Sequence, residues 1–114
     1  MAGFIDIACN FTHPSFGENL DQVIKEAKNV DVNKFVLLCA SLEDLEPIQS
    51  IQSQNPSQFF ITAGIHPHHA NEILGLNETP LIDQLLSIQP NAIGETGLDY
   101  FRNISPPEIQ RDSF

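Results

Sequence analysis

Two residues that can carry chemistry follow apolar, strand-like runs: a carboxylate at Glu95 and an imidazole at His66. Glu95 comes directly after Ala92–Gly94 and before the glycine at position 97. A carboxylate at the end of a buried strand is costly to bury unless it meets a cation or several hydrogen-bond donors. Glu95 is therefore the first functional candidate, and a loop glutamate that faces water is the alternative.

Three histidines lie within four residues after another apolar run, at His66, His68 and His69. Pro67 fixes its own φ and pushes His66 toward extended geometry, which can aim the imidazole along the strand direction. Imidazole binds zinc and exchanges protons near neutral pH. The spacing alone leaves two interpretations open, a metal site or ordinary loop histidines.

The pattern of apolar residues predicts the elements that place these side chains. Nearly continuous apolar or β-favouring runs are typical of buried parallel strands. Such runs occur at Phe4–Ile7, Lys34–Leu38, Gln58–Ala63 and Asn91–Gly94. We therefore predict four strands, and the histidine cluster and Glu95 follow the third and the fourth.

Apolar residues at helical spacing predict a helix after each of the first two strands. The first helix carries its apolar stripe at Leu20, Val23, Ile24 and Ala27. In the second, a turn over 41–46 leads into a helix with Pro47 at its first position. A proline inside a helix costs about 3 kcal/mol, which is why the helix is predicted to begin there.

Two further helices complete the alternation of strands and helices. Thr79 is expected to cap the third, which Pro80 opens. Ser105 and Glu108 predict a capping box at the start of the fourth, with the serine as the cap. Alternating strands and helices favour the α/β class, with a parallel sheet and right-handed crossovers.

Charge limits the functions that the chain can serve by itself. It has 5 basic and 15 acidic residues, and its formal net charge is −10. This charge repels phosphate backbones, so nucleic-acid binding cannot rest on a basic patch. A metal ion, a further part of the protein, or a substrate other than a polynucleotide would resolve the conflict.

The sequence indicates neither a signal peptide nor a membrane span, because it has no charged leader and no apolar run near roughly eighteen residues. A soluble cytoplasmic protein is the default expectation. Cys9 and Cys39 have no metal-binding spacing, and we expect buried free thiols at both positions.

The stretch Asn91–Asn103 contains I-G-E-x-G-L-D-Y, followed by an R-N pair and a downstream E-x-Q. It resembles the TatD family of metal-dependent deoxyribonucleases and related hydrolases, and G-[IV]-H-P-H around His66 is a second resemblance. The family fold is a (β/α)8 barrel of about 200 to 250 residues. The resemblance implies that residues 1–114 form its amino-terminal half, about four β/α units, with Glu95 binding or bridging divalent metal at the barrel mouth.

The resemblance also implies a reaction and roles for other residues. The reaction is hydrolysis of phosphodiester bonds in DNA by metal-activated water, with Mg²⁺ favoured and Mn²⁺ or Zn²⁺ as alternatives. His66 would contact substrate phosphate or polarise the attacking water, and His68 is a second candidate for substrate binding. Arg102 could stabilise charge if its loop folds inward, although a solvent-facing arginine is the favoured interpretation. His69 is expected to lie only nearby.

The first predicted strand departs from the family pattern. Many relatives carry D-x-H-x-H there, whereas this chain has Asp6 followed by Ala8 and Asn10. Alanine cannot coordinate, and an amide is a weak ligand for a divalent ion, so one metal position loses its histidines. His13 could replace them, although an exposed loop histidine is the favoured interpretation. Asp6 and Asp99 are expected to form hydrogen bonds at the same mouth.

We expect the chain to belong to a longer protein, since the fourth helix has hardly begun when Phe114 is reached. Family metal sites also need two histidines and an aspartate from later strands. The chain alone is then expected to be inactive and to expose strand edges that favour association. Two alternatives stay open: a non-catalytic remnant that binds a partner, and a barrel metallohydrolase acting on esters, lactones or amides.

Overall fold

The computed structural model describes residues 3–114 as alternating strands and helices. The strands are β1 (Phe4–Cys9), β2 (Val32–Leu37), β3 (Phe59–Ala63) and β4 (Ala92–Ile93). The α-helices are α1 (Leu20–Asn29), α2 (Leu45–Gln54), α3 (Glu78–Leu86) and α4 (Pro107–Ser113). Short 3₁₀ helices occupy Gly17–Asn19, Leu42–Asp44 and Pro67–Ile73. Within residues 3–114, no helix has the length and apolar character that a membrane crossing requires.

The four strands form one curled parallel sheet in the order β1-β2-β3-β4. Leu37 of β2 lies opposite Ile61 of β3, and Ala63 of β3 lies opposite Ile93 of β4. Each strand is followed by a helix before the next parallel neighbour, which is the β/α repeat of a barrel. The sheet is half of a (β/α)8 barrel, and the predicted α/β class is confirmed.

The core lies under the two central strands. Phe35, Leu37 and Ile61 are fully buried there, with Ile48 of α2 packed against them. The edge strands are different, since Phe4 of β1 is 71% exposed and Ile93 of β4 is 69% exposed. Apolar side chains on open strand edges favour association, and that expectation stays a prediction.

Two helices begin earlier than predicted. Helix α2 begins at Leu45, so Pro47 lies inside its first turn and not at its first position. The first four N–H groups of a helix have no intrahelical acceptor, so a proline there loses no hydrogen bond. Helix α3 begins at Glu78 and follows Asn77, so Thr79 is not its cap.

The predicted capping box at Ser105 is wrong. Helix α4 begins at Pro107, and Pro106 occupies the cap position without a side-chain hydrogen bond. Ser105 is instead fully buried, with its hydroxyl 3.5 Å from the carbonyl oxygen of His68. The Ser105 hydroxyl therefore contacts a residue that is distant in sequence, and it does not cap α4 as the local pattern predicted.

Candidate functional site

Backbone hydrogen bonds gather the loops that follow β2, β3 and β4 at one edge of the sheet. The His66 N–H donates to the Ala40 carbonyl oxygen at 2.8 Å, and the Glu95 N–H donates to the Cys39 carbonyl oxygen at 2.7 Å. Ala40 and Cys39 are neighbours, so the candidate histidine and the candidate carboxylate are anchored side by side. This is the edge at which barrel enzymes carry their chemistry.

Cys39 is buried at this edge of the sheet, where its sulfur contacts two loop carbonyls. Both cysteines are free and buried, as predicted. The Cys39 sulfur lies 3.3 Å from the Gly64 carbonyl oxygen and 3.2 Å from the Ser41 carbonyl oxygen. Burial raises the pKa of the Cys39 thiol, so it stays protonated, and its single hydrogen can be donated to one of these carbonyls or shared between them. The sequence predicted only packing here, since nothing local signals these contacts.

Two carboxylates brace the surrounding loops. Asp44 accepts a hydrogen bond from the Ala40 N–H at 2.9 Å, and Glu72 accepts one from the Leu42 N–H at 2.8 Å. Glu72 also lies 3.4 Å from Nδ1 of His69, whose side chain is exposed. His69 thus takes part in a peripheral contact.

The His66 ring is fixed by the backbone of its neighbour. Its Nδ1 accepts a hydrogen bond from the His68 N–H at 3.1 Å. A backbone N–H can only donate, so Nδ1 carries no proton and the neutral ring carries its hydrogen on Nε2. Burial lowers the pKa of His66, and the charge of Glu95 opposes that shift. His66 is therefore a neutral imidazole at pH 7 with a donor on Nε2.

His68 pairs with Asp99 across the site. Its Nε2 lies 2.7 Å from Oδ2 of Asp99, and its ring meets the ring of His66 edge-on, with centroids 4.4 Å apart. The other oxygen of Asp99 accepts the Arg102 N–H at 3.0 Å. These contacts, with the Arg102 N–H as the larger cause and His68 as the next, lower the pKa of Asp99.

Arg102 lies at the rim and not inside the site. Its guanidinium is 3.5 Å from Oδ2 of Asp99, and its side chain is 65% exposed. The inward-folded position, one of the two that the sequence left open, is not the one observed. Arg102 can still meet an anion that approaches the rim from solvent.

Gln110 of α4 was not predicted as part of the site. It is 1% exposed. Its amide oxygen accepts the Asp99 N–H at 2.7 Å, and its amide nitrogen lies 3.2 Å from the Asp99 carbonyl oxygen and 2.7 Å from that of Ser105. The E-x-Q pattern marked the residue, but only the fold shows which backbone groups it binds.

The Glu95 carboxylate is half-buried beside His66. Within residues 3–114 it forms no side-chain hydrogen bond or ion pair. Such a carboxylate is an oxygen ligand of the kind that Mg²⁺ and Mn²⁺ prefer. The same described residues bring together no group of three His, Cys, Asp or Glu side chains that could hold a metal. Residues 3–114 thus present the Glu95 carboxylate as a single oxygen donor here and do not gather a complete set of metal ligands.

The end of β1 adds no imidazole. Asp6 is exposed, and its Oδ1 accepts the Ala8 N–H at 3.0 Å, which is a local hydrogen bond. His13 is exposed, with Nδ1 2.7 Å from the hydroxyl of Ser15. His13 is thus the exposed loop histidine that the sequence favoured.

An apolar groove of about 490 Å³ lies elsewhere, beside α3 and the end of α4. Leucine and isoleucine side chains line most of it, and it contains neither His66 nor Glu95. The candidate chemistry therefore does not belong to this groove.

Gly64 makes the close approach of β3 and β4 possible. A Cβ atom there would lie 2.6 Å from the Glu95 carbonyl oxygen and 2.7 Å from the Gly94 carbonyl carbon. Backbone atoms cannot rotate away, so Gly64→Ala should displace the segment that carries Glu95. We expect the free energy of unfolding to fall by about 1–3 kcal/mol in urea denaturation of the full-length protein.

Gly17→Ala is the matched control. No atom lies within 4 Å of its Cβ position, and its φ of +43° leaves only backbone strain of about 1 kcal/mol. The close approach is contradicted if Gly64→Ala costs no more than this control, or if it leaves the backbone resonances of residues 94 and 95 in place.

The pKa of His66 gives a test of its surroundings. We expect it to titrate below the ordinary histidine value of 6.5, because burial disfavours the charged ring. Glu95, Asp99, His68 and His69 face the ring, and the carboxylates raise its pKa. Glu95→Gln should therefore lower the titration midpoint further. The measurement is the pH dependence of the His66 ring resonances in EDTA.

The unfolded protein in urea supplies the reference for this titration. Because the unfolded chain binds protons more readily than folded His66, the contribution of His66 to stability falls as pH drops below about 6.5. A midpoint in the folded protein at or above the urea value would contradict the burial argument. An unchanged midpoint in Glu95→Gln would show that the charge of Glu95 does not act on the His66 ring.

Comparison with known proteins gives a family-model match and similar curated proteins. A family model described as "TatD related DNase" matches residues 5–114. A relative from Erwinia billingiae, named "3'-5' ssDNA/RNA exonuclease TatD", is 38% identical over 109 residues, covering 96% of this chain and 42% of the relative. The protein of the same name from Escherichia coli K12 is 35% identical over 111 residues, with the same coverage. The chain thus spans about two fifths of the length of these curated relatives.

Solved structures give the same fold. A hydrolase TatD family protein from Entamoeba histolytica matches with a TM-score of 0.83 at 27% identity, over 97% of this chain and 43% of that chain. The TatD homologue YJJV from Escherichia coli K12 matches with a TM-score of 0.74 at 23% identity, over 96% and 43%. The second likeness shows the fold alone.

Proposed function

This chain belongs to the TatD related DNase family, and from that membership we propose that its full-length protein is a metal-dependent nuclease that hydrolyses phosphodiester bonds. Glu95 would be one metal ligand, and His66 would contact the substrate phosphate. The relatives are named as exonucleases of single-stranded DNA and RNA. We propose single-stranded DNA as the substrate, with RNA as a second substrate to be compared with it.

One observation carries this proposal. The Glu95 carboxylate is half-buried at the carboxyl end of β4, beside a neutral imidazole, and no side chain of residues 3–114 donates to it. A carboxylate in such a place is stabilised by a cation. A purely structural glutamate would be expected to have hydrogen-bond donors.

A divalent cation would supply the chemistry that the chain lacks, since a bound cation lowers the pKa of coordinated water and offsets phosphate charge. Mg²⁺ is our first choice, with Mn²⁺ and Zn²⁺ as alternatives. Glu95 would hold it from this chain. The remaining ligands would come from parts of the full-length protein beyond these residues, as the greater length of the relatives allows.

His66 suits the role of a donor to phosphate. Its Nε2 carries hydrogen because Nδ1 is occupied, and burial keeps the ring neutral. A neutral ring with its hydrogen on Nε2 can donate to a phosphate oxygen without first gaining a proton. Arg102 adds a positive charge at the rim. With a formal charge of −10, the chain has few other groups that attract phosphate.

The test is hydrolysis by the purified full-length protein. Labelled single-stranded DNA, RNA and duplex DNA are incubated with EDTA, Mg²⁺, Mn²⁺ or Zn²⁺, and a p-nitrophenyl ester is tested in parallel. We expect single strands to be shortened only when metal is added. Intact nucleic acid with a turned-over ester would contradict the proposal and favour another metallohydrolase, one of the alternatives left open by the sequence.

No observation on the described residues favours a non-catalytic remnant, the other alternative. The cytoplasmic location stays a prediction from the sequence. Inactivity of the isolated chain also stays a prediction, and the same hydrolysis assay on residues 1–114 tests it.

A further inference from the structure

We infer that Asp99 is a positioning residue, which fixes the His68 imidazole and, through it, His66, and that Gln110 holds Asp99 in place. The effect on hydrolysis rests on the proposed function. The arrangement of protons does not, because it follows from the side-chain and backbone contacts among these residues.

The first step is the contact between Asp99 and His68. Oδ2 of Asp99 lies 2.7 Å from Nε2 of His68. An ionised carboxylate only accepts, so Nε2 must carry a hydrogen, and whenever the ring is neutral Nδ1 keeps its lone pair. Oδ1 of Asp99 accepts the Arg102 N–H at 3.0 Å. The carboxylate cannot turn without losing one of the two bonds.

The second step joins His68 to His66. The His68 N–H donates to Nδ1 of His66 at 3.1 Å, and the two rings meet edge-on. A shift of residue 68 would therefore move the ring of His66 and free its Nδ1. The hydrogen on Nε2 of His66 thus depends on where residue 68 is held.

The third step is the support from α4. The buried amide of Gln110 binds both the N–H and the carbonyl oxygen of Asp99. It also binds the carbonyl oxygen of Ser105, whose hydroxyl lies 3.5 Å from the His68 carbonyl oxygen. The loop that carries Asp99 is thus tied to the helix on one side and to the histidine loop on the other. A buried glutamine with three backbone partners is costly to replace, because each partner would lose its bond.

The experiment reads the proton directly. In the full-length protein labelled with ¹⁵N-histidine, without metal or substrate, the ring nitrogen shifts show which nitrogen of His68 is protonated. In Asp99→Asn, the Arg102 N–H keeps the amide oxygen, because a backbone N–H can only donate. The amide NH₂ then faces Nε2, so we expect the hydrogen of His68 to move to Nδ1.

Two further variants make the test decisive. Asp99→Ala removes both acceptors, and we expect it to release His68 into a mixture of tautomers. Asp112→Asn is the matched control, because it changes an exposed carboxylate on α4, the helix that carries Gln110, and it should leave the tautomer unchanged. His68 with its wild-type tautomer in both Asp99 variants would overturn the inference.

The hydrolysis kinetics of the same variants give a second, independent measurement. We expect Asp99→Asn to lower kcat by about 10- to 100-fold, the usual cost of removing a partner that orients a functional histidine, with a smaller change in KM. Wild-type kcat together with a switched tautomer would overturn the positioning role. If the wild-type protein cleaves no nucleic acid, the proposed function fails, and the tautomer result still decides the arrangement of Asp99 and His68.

Discussion

Glu95→Gln in the full-length protein is expected to reduce metal-dependent hydrolysis by about three orders of magnitude. An amide has no charge and is a weak ligand for a divalent cation, so most of the metal's contribution, several kcal/mol, would be lost. Each 1.36 kcal/mol of lost transition-state stabilisation is about tenfold in rate. The measurement is the initial rate on single-stranded DNA across a titration of Mg²⁺, with the metal affinity measured by calorimetry.

The fold should survive this substitution. Within the described residues 3–114 the Glu95 side chain forms no hydrogen bond, while its N–H, which the substitution keeps, anchors the loop to Cys39. We therefore expect the melting temperature to change little. Glu108→Gln, an exposed carboxylate on α4, is the matched control and should keep full activity. Undiminished turnover in Glu95→Gln would remove Glu95 from the metal site.

The fold could be predicted because its signals are periodic and local. The apolar run Lys34–Leu38 indicates a strand covered on both faces. A parallel strand does form there, but it begins at Val32, and only Phe35 and Leu37 are buried while Lys34 is exposed. Strand ends are harder to place, because the last paired residue depends on the neighbouring strand and not on its own sequence. β4 pairs over Ala92–Ile93 alone, where the sequence predicted Asn91–Gly94.

The meeting of His66 and Glu95 could also be predicted, because residues that follow neighbouring parallel strands lie at one edge of the sheet. Their hydrogen bonds could not, since these depend on loop geometry. Ser105 shows how a local pattern can mislead. Its spacing to Glu108 matches a capping box, but its hydroxyl contacts the histidine loop and does not cap the helix. The role of Gln110 was hidden for the same reason, because its partners are backbone groups that carry no sequence signal.

The second large effect is expected at His66, where two substitutions separate two roles. His66→Ala removes the Nε2 donor, and we expect a loss of about 10²- to 10³-fold in kcat, the usual cost of one preorganised donor. His66→Gln puts an amide NH₂ near the position of Nε2. A donor to phosphate would be partly replaced, so we expect His66→Gln to retain about tenfold more activity than His66→Ala.

The alternative role, a base that takes a proton from water, predicts a different result. Nε2 would then need a lone pair and Nδ1 a hydrogen, which would face the His68 N–H, a second donor. That arrangement costs a hydrogen bond, and glutamine could not replace the base, so His66→Gln would be as inactive as His66→Ala. His13→Ala is the control, since that histidine is exposed on another loop and should keep full activity. Equal losses in both His66 variants would therefore reject phosphate donation and assign His66 to proton transfer.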